Sequence, residues 1–450
     1  MNLEEYCSYD GLGLAALVRD RQVTPRELAE LATQALERVN PQLNAVVHRA
    51  DPSKLQVANE NGPFAGVPFL LKDVGHGWAG VPSTMGSRIG IGLSFAKDGP
   101  IASRFRQAGF QVIGVSASPE FGSNAVTESF LYGPTRNPWD PRKSPGGSSG
   151  GAAAAVAAGI VPVAHATDGG GSIRLPAAWC GLVGLKPSRG VNPYGSPSTS
   201  DGNAWVVAGH VVSRTLRDTV AALDATRGPV PGDFIPLPKR VETYLSGLTR
   251  TPKKLRIALC TRFKDAPLTD PESVRTATEA ARHLQSLGHI VEEVVPDISY
   301  EEMSRVCFEL FIPGMAEGIL AVSKATGRPA DRNHLEPHVL ATIEYARAQT
   351  LEVFRSALNR MVWMSREMAR FHEQFDVLLT PAVSQVPCDI GVYEASRYEG
   401  TGVDFWSIEA PLYAFSPLAS ITGQPALVLP FPVSDCPLPT GIQISAAIGG

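Results

Sequence analysis

Apolar positions recur at two periods along this chain of 450 residues. A helical period begins at Thr24, which is placed as an N-cap, with Pro25 in the first turn and Glu27 completing a capping box. Val23 and Leu28 are spaced for a hydrophobic staple across that start. Leu28, Leu31, Ala32, Ala35, Leu36 and Val39 then mark one face, and Pro41 is expected to stop the helix. A second helix is predicted from Asp270-Pro271-Glu272, with Val274, Ala277, Ala281, Leu284 and Leu287 along one side and Gly288 at its end. Short unbroken apolar runs lie between helical stretches: Phe69–Lys72, Val112–Val115, Ile160–Ala164, Leu255–Leu259, Val377–Leu379 and Ala426–Leu429. Each reads as a strand buried on both faces. Strands interleaved with helices predict an α/β fold around a large central sheet. From about Tyr300 to His372 the pattern is helical and rich in Phe, Met and Leu. That segment is expected to pack over one sheet edge, mostly as core and in part as a substrate wall.

Composition narrows the class. The length allows about three domains, although α/β enzymes keep this much chain in one. Apolar residues at 44% and charged residues at 19% are ordinary for a globular chain and exclude wholesale disorder. The net charge of −4 offers no footprint for nucleic acid or an anionic membrane. Six scattered cysteines without a C-x-x-C pair read as reduced thiols. The acidic start, Met1-Asn2-Leu3-Glu4-Glu5, is not followed by an apolar core, so no secretory signal is expected. Gly146–Thr167 carries no formal charge, but Gly159 and Pro162 interrupt it and alanine is weakly apolar. It reads as a buried Ala-rich helix leading into a buried strand. A soluble, cytoplasmic protein is expected.

Two glycine–serine clusters stand out. One is Ser144-Pro145-Gly146-Gly147-Ser148-Ser149-Gly150-Gly151; the other is Asp168-Gly169-Gly170-Gly171-Ser172-Ile173-Arg174. Glycine at this density is kept where backbone bends sharply or approaches a ligand. Three glycines before a serine suit a loop whose amides converge on one spot, as in an oxyanion hole. A linker is excluded because element-forming sequence flanks both clusters closely. A phosphate loop is excluded because neither cluster carries the required lysine or follows a dinucleotide-binding pattern. Gly146–Gly150 formally matches G-x-S-x-G, but that elbow leaves a strand, and Pro138 and Pro141 precede it here. No histidine has a setting suited to a serine triad. His334-Leu335-Glu336-Pro337-His338 lacks the zinc-protease spacing and reads as a surface helix start. Lysine is then the next candidate base. Lys72 ends a strongly apolar run, where desolvation can lower its pKa from about 10.4 towards 7–8. The bland reading is an ordinary ion pair with Asp73 or a nearby carboxylate.

Together the Leu71-Lys72-Asp73 strand end and the two clusters resemble the amidase signature family. Gly66–Asp73, Gly133–Asp140, Ser144–Gly151, Thr167–Pro176, Gly181–Gly190 and Ser420–Pro430 all look like family segments. The resemblance implies one amidase domain over residues 1–450, an α/β/α fold with a large mixed β-sheet core flanked by helices. It further implies a Ser–cis-Ser–Lys triad: Ser172 as nucleophile, Ser148 after a cis Gly147–Ser148 bond, and Lys72 as terminal base. Gly169, Gly170 and Gly171, with the Ser172 amide, would hold the oxyanion, and Gly122 would meet substrate through its backbone. Asp168 and Arg174 would orient these loops. No metal or cofactor is implied; the partners are a small-molecule amide or carbamate and water, with oligomeric state left open.

Departures are also visible. Many relatives carry Gly-Lys-Thr-Asn before a Pro-Glu pair, whereas Gly114-Val115-Ser116-Ala117-Ser118-Pro119-Glu120 lacks the Lys and Asn. Gly169 stands where Ile or Thr is frequent, which implies more room or mobility at the oxyanion site. Relatives usually continue with another helix beyond the position of Gly450. The favoured function is hydrolysis of carboxamides. Phe130–Arg142 and the helical region resemble aminohexanoate-oligomer hydrolases. Cleavage of carbamates, esters or ω-amino-acid oligomers at the same site, and the A subunit of a transfer-RNA amidotransferase, are the alternatives. A catalytically dead binding protein conflicts with Lys72, Ser148 and Ser172 occurring together.

Overall fold

Thr24 caps its helix as the pattern requires. Its hydroxyl accepts the Glu27 amide, while the Glu27 carboxylate accepts the Thr24 amide, closing the capping box. The helix runs Pro25–Leu43, two residues past the expected stop at Pro41. A proline in the last turn forfeits only its own hydrogen bond. The chain leaves instead at Asn44, in the left-handed region, after Asn40 has turned its side-chain oxygen to the amides of Ala45 and Val46. The second predicted helix spans Pro271–Ser286 with Asp270 as cap, and Gly288 follows at φ +94°.

A computed structural model describes residues 1–51, 55–193, 203, 205–233, 235–237, 240–395, 402–433, 435 and 437–450. Cys436 lies outside them, and the other five cysteines are free thiols. The strands are β1 (Val46–Arg49), β2 (Pro68–Lys72), β3 (Gln111–Ser116), β4 (Glu128–Ser129), β5 (Gly133–Pro134), β6 (Val163–Asp168), β7 (Val183–Lys186), β8 (Ala208–Ser213), β9 (Arg256–Leu259), β10 (Ile290–Glu293), β11 (Val377–Pro381), β12 (Ala426–Leu429) and β13 (Ile442–Ala446). β4 and β5 form a small hairpin, and the rest make one 11-stranded sheet in the order β1-β3-β2-β6-β8-β7-β12-β13-β11-β9-β10. Parallel and antiparallel pairs both occur, so the sheet is mixed, and helices flank it.

All six expected strands are present. The run at Ile160–Ala164 is the one that shifts, to Val163–Asp168. Gly159 and Ile160 instead close the C-terminus of the Ala-rich helix Gly150–Ala157, donating to Val156 and Ala155 carbonyls. That helix is buried along nearly its whole length and leads into β6, as its composition predicts. The segment from Tyr300 forms helices Tyr300–Thr326, Pro337–Ala348 and Leu351–Gln374. The first of these has the length and hydropathy of a bilayer span. Its Met303, Val306 and Leu310 pack with Met361, Met364 and Phe415 in one buried cluster.

β2 runs parallel to both β3 and β6, so the carboxyl ends of all three strands open at one edge of the sheet. That edge is where an α/β sheet offers room for a ligand. The helix Gly150–Ala157 is held against it by close backbone approach. A Cβ on Gly151 would stand 2.4 Å from the Ala117 amide and 2.7 Å from the Ala45 carbonyl. Gly151→Ala is therefore expected to destabilise the protein by about 3 kcal/mol or more, read as a lowered denaturation midpoint. A melting curve matching wild type would mean that the helix and β3 are not so tightly apposed.

Candidate active site

Lys72 is the last residue of β2, and all five residues of that strand are buried. Its Nζ lies 2.7 Å from Ser148 Oγ and donates to Thr167 Oγ1 at 2.8 Å. Burial pushes its pKa down to about 7, against a weaker upward pull from Asp168. The alternative ion pair with Asp73 does not form. The Asp73 carboxylate accepts the amides of Thr84 and Gly86 and the Thr84 hydroxyl, so it serves the following turn. A neutral amine with one N–H given to Thr167 can turn its lone pair towards Ser148.

Ser148 follows a cis peptide bond with Gly147. No strand enters this turn; it passes directly into the helix Gly150–Ala157, consistent with rejecting a nucleophile elbow. Gly122 lies against Ser148, for a Cβ there would stand 3.2 Å from Ser148 Oγ. Ser172 is half-buried in the turn after β6, and its carbonyl accepts the Ser149 amide at 3.3 Å. Ser148 and Ser172 line one cavity of about 680 Å³, together with Gly122, Gly169, Gly170 and Gly171. No direct hydrogen bond joins the two hydroxyls. Among the described residues, no protein acceptor takes the amides of Gly169, Gly170, Gly171 or Ser172. These are unused donors beside a hydroxyl.

Asp168 and Arg174 form a fully buried ion pair, with Nη2 to Oδ1 at 2.8 Å and Nε to Oδ2 at 2.9 Å. Burial alone would raise the Asp168 pKa; the guanidinium and the Ile173 amide hold it below the usual carboxylate range. Arg174 also donates to the Ser416 carbonyl, Gln443 Oε1 and Ser420 Oγ. The loop is thereby tied to the helix Pro417–Thr422 and to β13. Gly171 sits at φ +143°, and a Cβ there would come 2.4 Å from Ser416 Oγ. Gly169 is free of a side chain for another reason than spare room. Phe311 and Val207 occupy the space, 3.1 and 3.2 Å from where its Cβ would be.

One further expectation changes. His334–His338 does start a helix, but it is not a surface segment, since Leu335, Glu336 and His338 are all buried. The Glu336 amide donates to Glu120 Oε2, the Glu336 carboxyl accepts the Phe130 amide, and His338 Nε2 meets Ser123 Oγ at 2.7 Å. Burial, then the neighbouring Glu336, push Glu120 well above the ordinary carboxylate range, and burial lowers His338 to about 3. This network fixes the chain on either side of Phe121 and Gly122. Sequence reading also passed over Thr167, although it heads a family-like segment and sits one residue before Asp168. Glu409 was passed over as well, with no motif to mark it. Among the described residues no group of side chains suits a metal ion.

The helix Tyr300–Thr326 walls the cavity with Phe308, Phe311 and Met315, and Phe121 and Trp406 add to its apolar lining. The profile of the family described as Amidase matches residues 27–449. A 6-aminohexanoate-cyclic-dimer hydrolase of Paenarthrobacter ureafaciens is 34% identical over 455 residues, covering 98% of this chain and 91% of that protein. An acylamidase of Rhodococcus erythropolis is 30% identical, with 96% and 90% covered. The solved structure of a 6-aminohexanoate cyclic dimer hydrolase superposes with a TM-score of 0.90 at 33% identity, covering 98% of this chain and 93% of that one. A match of this extent in sequence and in fold leaves one conclusion: the chain belongs to the amidase signature family, hydrolases acting on amides.

Proposed function

We propose that the chain hydrolyses small carboxamides through an acyl-enzyme on Ser172, with Ser148 and Lys72 as its proton relay. The observation that carries this reading is the buried Lys72 amine, 2.7 Å from Ser148 Oγ and with its pKa lowered to about 7. Lys72 accepts the Ser148 proton, Ser148 accepts that of Ser172, and the Ser172 oxygen attacks the carbonyl carbon. The unused amides from Gly169 to Ser172 stabilise the oxyanion. The proton returns through Ser148 to the leaving nitrogen as the C–N bond breaks, and water then attacks the ester along the same path. The two hydroxyls line the same cavity, and catalytic hydrogen bonds that are long in a free enzyme commonly tighten when substrate arrives. The apolar cavity favours a flexible aliphatic or an aromatic substrate. Amides of ω-amino acids are therefore the leading class, in line with the names of the relatives.

Ser172→Ala is expected to lower kcat for an anilide substrate by about 10⁴-fold or more. A sulfonyl fluoride should label Ser172 and no other serine, read by peptide mass mapping. A label on Ser148, or a Ser172→Ala enzyme near wild-type turnover, would remove Ser172 from its role. The assay uses the purified chain alone, so activity also separates a free-standing hydrolase from an amidotransferase subunit.

The base must be uncharged to accept a proton. Below the Lys72 pKa it is an ammonium and inactive, and above it the amine is free. The pH profile of kcat/KM should accordingly rise through about 7 and level off above. Lys72→Met, which keeps the aliphatic stem packed, should cost about 10²–10⁴-fold and abolish that limb. A profile of unchanged shape in the variant would place the titrating base elsewhere.

A further inference from the structure

We propose that Glu409 is a specificity-determining residue that receives a primary ammonium group carried by the substrate. This rests on the reading of the cavity as the amide-hydrolysing site. Glu409 ends the helix Gly402–Glu409, and its neighbours Trp406, Ala410 and Tyr413 line the cavity with it. The residue is 2% exposed. Its Oε2 accepts the Ala125 amide at 2.9 Å, and no other donor among the described residues reaches the carboxyl. A carboxylate has about four acceptor positions, so most of its capacity is unspent.

The place of this carboxyl is close to the reacting groups. Ala125 packs on Gly147, the residue before Ser148, so tightly that a Cβ on Gly147 would come 2.8 Å from the Ala125 carbonyl carbon. One backbone segment therefore separates Glu409 from the catalytic turn. Among the described residues no ion pair compensates it. Burial holds its pKa up at about 8, and the titratable neighbours on which its charge acts are Tyr393 and Tyr413, neither of them cationic. A buried acid lacking a counter-ion is costly to ionise, and an arriving cation repays that cost. The wider wall agrees in sign, since Glu301, Glu309 and Glu409 line the cavity against Arg305 alone. An amine-bearing acyl or amine portion gains a charge-assisted hydrogen bond there, which an uncharged analogue cannot form.

The test compares 6-aminohexanoyl p-nitroanilide with hexanoyl p-nitroanilide on the wild-type chain and on Glu409→Gln, which keeps an acceptor for Ala125. The ratio of kcat/KM, amine over neutral, should fall about tenfold or more in the variant, mainly through KM. If both constants fall in step, or the ratio is unmoved, Glu409 is only a cap for the Ala125 amide and the inference is overturned. Binding of hexylamine and hexan-1-ol to the wild-type chain, measured by calorimetry, needs neither the variant nor turnover. Hexylamine should bind about tenfold more tightly, and equal affinities refute the ammonium site. Failure to cleave either anilide would instead count against the hydrolytic reading.

Discussion

A lysine side chain sealed at the end of an interior strand loses its hydration, and nothing around Lys72 restores the charge. Asp73 is spent on the turn at Thr84 and Gly86. Asp168, one strand away, is held by Arg174, which limits the support it lends to an ammonium. Lys72 is left with two hydroxyl partners, Ser148 and Thr167. Had either carboxylate been free to pair with it, the amine would stay protonated near neutral pH and could not take a proton. The separation of these charges is the condition under which every other feature of the site has a use.

Distance along the chain is no guide to what supports this arrangement. Arg174 binds Ser416, Ser420 and Gln443, some 240 to 270 positions later, so the helix Pro417–Thr422 and β13 hold the loop that carries Ser172. Glycine at position 171 lets Ser416 approach, and glycine at 169 admits Phe311 from the helix Tyr300–Thr326. The three-glycine loop therefore serves two ends. It leaves backbone amides without protein partners, and it lets three distant segments close on it.

A second buried polar system, Glu120 with Glu336 and His338 with Ser123, braces the chain on either side of Phe121 and Gly122. Its members bond backbone and side chains across more than 200 positions. Such a network is tolerable in a core because its polar groups largely bond one another, and burial favours the uncharged forms of its acids and its imidazole. The Phe121–Gly122 turn is carried between these anchors and Ser148.

Local patterning was sufficient for much of this. The capping box at Thr24, the helix from Asp270, the six buried runs and the Ala-rich helix each depend on contacts within a few residues, so their signals are written in consecutive positions. The burial of Lys72 and the unusual backbone around Ser148 and Ser172 were likewise legible, because apolar flanks and dense glycine are local marks of desolvation and of bent backbone. The edge strands β1 and β10 were not, being short and partly exposed. The burial of His338 was hidden too, because Pro337 and its neighbours look alike at a surface and against a partner. Glu409 had no mark at all. A lone glutamate becomes an uncompensated acid only when a folded cavity removes its water and leaves it one amide, and that is a property of the packing, which no run of neighbouring residues encodes.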